Sequence, residues 1–136
     1  MLTDDKKIET FSLITPPKKM QIEDRILYTK LQLLKFITHY HQTELKIGME
    51  SISFGSKGRV AQLSMLLGYI YFSLKEIGYD TQLFTPSHIK KLYSGKGNAK
   101  KEDMLEATDK EVIKYFESKY KKIDDLIDAY AIATLL

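Results

Sequence analysis

The 136-residue chain contains no cysteine. That excludes a disulfide framework and any thiolate metal site, and it fits a reducing cytoplasm, the expected location. No run approaches the ~18 apolar residues of a membrane helix, so no membrane partner is expected. Met1 to Lys7 are polar and lack the apolar core of a secretory signal. There is also no Walker loop. The small basic loop Phe54-Gly55-Ser56-Lys57-Gly58-Arg59 lacks the Gly-x4-Gly-Lys-Ser/Thr spacing, which argues against a nucleoside-triphosphate site. Internal repeats and low-complexity stretches are missing too.

What remains is an ordinary globular balance, 43% hydrophobic and 29% charged, long enough for one domain with a real core. The net charge of +3 says little. Its distribution says more. Lys90, Lys91, Lys96, Lys100 and Lys101 crowd one short segment around Gly95 and Gly97. Glycines let a backbone approach a phosphate closely, and lysines neutralise it. A solvated lysine-rich loop is the competing reading.

Taken in order, Ile8 to Thr15 reads as a strand, rich in β-branched and aromatic residues and stopped by Pro16-Pro17. Met20 to Tyr40 has helical periodicity through Ile22, Ile26, Leu27, Leu31, Leu34, Ile37 and Tyr40. His39 and His41, at its end, are given no catalytic role. Leu45 to Ser53 reads as a buried strand carrying Glu50, an unusual place for an unpaired carboxylate. Val60 to Ile77 is a strongly apolar helix, with core as the default for its face and a dimer interface as the alternative. Gly68 lies inside it, where a glycine suggests close packing, and Gly78 stops it. Thr81 to Thr85 is a third strand. Pro86 opens a helical turn, and Lys101 to Lys119 is helical with a break at Thr108-Asp109, where Glu111 stands in capping-box register behind Thr108. Strands alternating with helices predict an α/β domain with part of its sheet parallel.

The last helix carries the sharpest signal. Asp125 and Asp128 are three residues apart and share one helical face. Leu126, Ile127, Ala129, Ala131, Ile132 and Ala133 around them are small or apolar, as in a buried helix. Buried carboxylates need a positive partner, and a divalent cation with oxygen ligands supplies one. The plainer alternative is that Asp125 caps the helix and Asp128 faces solvent in its first turn.

Two stretches together resemble the RuvC-like Holliday-junction resolvases of the phage and Gram-positive type. Lys90 to Lys101 is similar to that family's Lys-x5-Gly-x-Gly-x-Ala-x-Lys stretch. Asp125-Leu126-Ile127-Asp128-Ala129-Tyr130-Ala131-Ile132-Ala133 resembles its terminal acidic motif, and Glu50 stands where the family has a central-strand glutamate. The resemblance covers roughly Ile8 to Leu136. It implies a ribonuclease-H-like fold, a five-stranded mixed sheet flanked by helices, with residues 1–136 forming one nuclease domain. Nothing matches the family's first-strand Gly-x-Asp pattern, because Asp4 and Asp5 lie in a polar context. Ile8 to Thr15 aligns with the family's third strand, so the first two strands and the first catalytic aspartate are expected to be missing.

The resemblance further implies a Mg²⁺-dependent endonuclease, with Mn²⁺ as a substitute ion, that nicks four-way DNA junctions symmetrically as a homodimer. Glu50, Asp125 and Asp128 would be the metal ligands, with Lys101 beside the scissile phosphate. Lys57, Arg59, Lys90, Lys91, Lys96 and Lys100 would hold backbone phosphates. The alternative function is a non-catalytic branched-DNA-binding protein that kept the fold without the first aspartate.

Overall fold

The computed structural model describes residues 1–2, 7–39, 45–52 and 60–136. Lys57 and Arg59, with the rest of the loop that holds them, lie outside the described residues, as do Asp4, Asp5, Tyr40 and His41. Among the described residues the elements run α1 (Ile22–His39), β1 (Lys46–Glu50), α2 (Val60–Glu76), β2 (Asp80–Phe84), α3 (Pro86–Ser94), α4 (Lys101–Glu106), α5 (Lys110–Glu117) and α6 (Asp124–Thr134). β1 and β2 pair as a small parallel sheet with a helix between them, the βαβ arrangement that the alternation predicts. No described helix is long and apolar enough to cross a membrane.

The sheet is smaller than expected. Ile8 to Thr15 forms no strand. Its single pairing is an isolated antiparallel bridge between Leu2 and Ile8. The residues are β-prone, but a strand needs a neighbouring edge for its backbone groups. Instead, Phe11 stands edge-on to Tyr115, Phe116 and Tyr120, at ring-centroid distances of 5.1, 4.9 and 6.0 Å. Ser12 to Thr15 lies beside α1, where the two border a cleft of about 440 Å³ with Tyr28, Gln32, Lys35, Phe36 and His39. β1 is likewise only half-buried, with Lys46 and Glu50 exposed at its ends, rather than the buried strand expected.

The chain divides into two compact units. One comprises Ser12–Ile47 and Phe54–Gln82 and contains α1 and α2. Glu23 and Asp24 in the first turn of α1 and His39 in its last complement the helix dipole. Ile26 and Ile37 are buried, whereas Leu27 and Leu31 are exposed. Along α2, Ile70 and Leu74 are core, but Leu63, Met65 and Phe72 stay exposed, as does Ile77 just past its end, so core describes only part of that face. Gly68 has no atom within 4 Å of where a Cβ would stand among the described residues, which removes close packing as its reason. The helix ends at Gly78, whose φ of 91° suits glycine.

The other unit comprises Met1–Phe11, Gly48–Ser53 and Leu83–Leu136. Its core is built from Ile89, Met104, Phe116, Ile123, Leu126, Ile127, Ala131 and Ile132. Thr108 is buried here and spends its hydroxyl on Met104 O (2.8 Å) and the Tyr93 hydroxyl (3.0 Å). It is therefore not the cap of α5. Asp109 caps that helix instead, accepting from Glu111 N at 2.7 Å.

Candidate functional site

Three punctuating residues, two at its start and one at its end, bound α3. Thr85 caps it, accepting from His88 N at 3.3 Å, and Pro86 supplies the first helical φ. Gly95 closes it in the left-handed region at φ 80°, its amide donating to Lys91 O at 3.1 Å. The following loop is pinned at two points. Ala99 is buried, and Asp103 accepts from Lys96 Nζ at 2.7 Å and from Lys100 N at 2.8 Å. The glycine-lysine segment is thus a fixed loop between α3 and α4, with Lys96 already paired.

α6 differs from its sequence reading. It is amphipathic rather than buried: Leu126, Ile127, Ala131 and Ile132 face the core, while Asp125, Asp128 and Ala129 are exposed. Counting Ala129 as apolar made the helix look enclosed. Asp125 is not its cap either, because Ile123 holds that position without a side-chain bond.

β1 meets α6 at Gly48, in contact range of Ile132, Leu136 and Phe84. Glu50 is two residues further along the strand on the same face, about 6.6 Å away. Asp128 is one turn back along α6 from Ile132, about 6 Å. Glu50 and Asp128 lie within electrostatic range of each other. Glu50 is exposed, yet lost hydration at the strand end and then the Asp128 charge raise its pKa, Asp125 adding to this and Lys90 opposing it. The Asp128 pKa is raised in the same way, by lost hydration and then by Asp125, with Asp124 adding and Lys90 and Lys101 opposing.

The structure therefore brings Glu50 from β1, Lys90 from α3, Lys101 from α4, and Asp125 and Asp128 from α6 into one electrostatic neighbourhood. Lys91 is exposed on α3, and Lys100 is exposed at the start of α4. Two residues had no assigned role in the sequence. Asp124 binds the Lys101 ammonium, and Asp103 brackets the loop. Asp103 was findable, three residues after the cap position Lys100.

The three carboxylates suit a hard divalent cation in donor type and in surplus negative charge. They stand apart as the structure has them: among the described residues no group of three or more His, Cys, Asp or Glu side chains converges enough to hold an ion.

The sequence matches no protein-family model and no curated protein. In structure the chain is similar to RuvC of Thermus thermophilus, with a TM-score of 0.62 and 17% identity over 88% of this chain and 70% of that one. The fold is RuvC-like. At that identity the likeness concerns architecture. Within the RuvC-like fold, what the site does rests on its own residues.

Proposed function

We propose that this chain is a Mg²⁺-dependent, structure-selective endonuclease that resolves four-way DNA junctions. What supports this reading is that Glu50 and Asp128 lie within electrostatic range of each other, of Asp125 and of Lys90, with Lys101 also acting on Asp128, on a RuvC-like fold. Glu50, Asp125 and Asp128 would hold the ion, with Mn²⁺ as a substitute. A bound divalent ion supplies an activated water and charge neutralisation at the leaving oxygen. Lys101 offers a positioned cation for the charge that grows on the phosphate. Lys90, Lys91, Lys96 and Lys100, with Lys57 and Arg59, would bind backbone phosphates, which sets affinity and salt dependence rather than sequence choice. A two-fold homodimer would match the symmetry of a four-way junction. The exposed Leu63, Met65 and Phe72 of α2 offer apolar surface for such a contact.

The test is incubation of the purified chain with a labelled four-way junction and a matched linear duplex, with Mg²⁺ and with chelator. Paired nicks in the junction alone, only with metal, are expected. Nicking that persists in chelator would overturn the reading.

The separation of the carboxylates favours a second reading, a branched-DNA-binding protein without nuclease activity. It predicts salt-sensitive junction binding and no nicks. Equal affinity for junction and linear duplex by fluorescence anisotropy would sink it.

A further inference from the structure

Lys101 opens α4, and its ammonium donates to Asp124 Oδ2 at the start of α6. Asp124 is free for this because Ile123 occupies the cap position and no side chain caps the helix. Consecutive residues on a helix point about 100° apart. Asp124 therefore turns toward α4, while Asp125 and Asp128 line the neighbouring face. The partners differ in exposure: 29% for the Asp124 side chain and 69% for that of Lys101. The anchor is the better-packed group and the lysine head is the open one. From this tether the Lys101 charge still reaches Asp125 and Asp128. A second acid-lysine pair of this unit, Lys96 with Asp103, lies within the loop-α4 segment and braces the loop instead.

We propose that Asp124 is a positioning residue that holds the Lys101 ammonium beside the Asp125 and Asp128 carboxylates. An ammonium has three donors. With one on Asp124, two remain for a phosphate oxygen that arrives at the carboxylates. A lysine on a flexible four-carbon stem would otherwise sample many positions, and a cation helps a reaction only where it is already in place. The purpose of the tether rests on the nuclease reading. Its existence does not.

The competing view is that this is a surface ion pair of no consequence. Two measurements separate them. The first labels lysine amines on the folded full chain without DNA and reads each site by mass spectrometry. Asp124→Asn, which keeps the shape of the side chain, is expected to raise Lys101 labelling about threefold, the equilibrium equivalent of a surface ion pair, and to leave Lys91 unchanged. The second measures junction nicking. Asp124→Asn is expected to lower kcat about tenfold with KM unchanged, and Asp124→Glu to recover part of the loss.

Unchanged Lys101 labelling would overturn the proposal whatever the nicking shows. Raised labelling with wild-type kcat would also overturn it, because the tether would then serve no reaction. If the wild-type chain nicks no junction, the nuclease reading falls by itself, and the labelling still decides whether Asp124 holds Lys101.

Discussion

Gly48 of β1 and Ile132 of α6 touch so closely that a methyl group on residue 48 would overlap Ile132 Cγ2. The same methyl would stand 3.3 Å from Leu136 Cδ1 and Phe84 Cε2. This is the joint between the element that carries Glu50 and the one that carries Asp125 and Asp128. A side chain there forces strand and helix apart, since packed interiors accommodate added volume poorly.

Gly48→Ala is therefore expected to destabilise the chain by about 1–3 kcal/mol. Junction cleavage should fall further than that loss explains, because Glu50 moves away from Asp128. Denaturant unfolding with single-turnover cleavage, both run where the variant is fully folded, checks the two effects separately.

The Glu50 and Asp128 carboxyls both have raised pKa values, with lost hydration and neighbouring carboxylates as causes. The folded state then binds their protons more tightly than the unfolded state. Their contribution favours folding below the unfolded pKa and is lost as pH rises through the folded pKa. At neutral pH these charges cost stability. Asp128→Asn is expected to raise Tm at pH 7 by a few degrees, on the order of what a sub-kcal/mol gain gives a domain of this size. The gain should vanish below about pH 4, where the wild-type residue is itself protonated. If Glu50, Asp125 and Asp128 hold the ion as proposed, added Mg²⁺ should raise the wild-type Tm more than that of the variant, because a ligand that binds only the folded state stabilises it. Thermal melts across pH, with and without Mg²⁺, measure all three.

Gly68 tests a different part of the chain. It sits inside α2 with open space where its side chain would be. Gly68→Ala is expected to stabilise by about 0.5–1 kcal/mol, through helix propensity and a less flexible unfolded chain. Junction cleavage should be unchanged. A melt and a cleavage time course check both.

The sequence was most legible where single residues impose backbone geometry. Pro86 opens α3 and Gly78 ends α2, as their chemistry requires, and Gly95, which the sequence offers only as a glycine for phosphate approach, also closes α3. It was less legible where the outcome depends on distant partners. Ile8 to Thr15 has strand-forming residues, but Phe11 finds aromatic rings on α5 instead of a strand edge. The acidic helix was placed by its spacing, yet its exposure was misjudged, since alanine is equally at home on either side of a helix. The pairing of Lys101 with Asp124 spans 23 residues and has no local signature. Glu50 stands out in the sequence as a carboxylate in an apolar strand, and the strand end that carries it is exposed.

The most direct test of the carboxylate site is single-turnover cleavage of a labelled four-way junction by Glu50→Gln, with junction affinity measured in parallel. The substitution removes one carboxylate charge and keeps the shape of the side chain. Cleavage with Mg²⁺ is expected to fall by a factor on the order of 100 or more, while affinity holds or improves because a repulsive charge near phosphate is gone. A Glu50→Gln chain that cuts the junction at the wild-type rate would contradict the assignment of Glu50, Asp125 and Asp128 as the catalytic carboxylates.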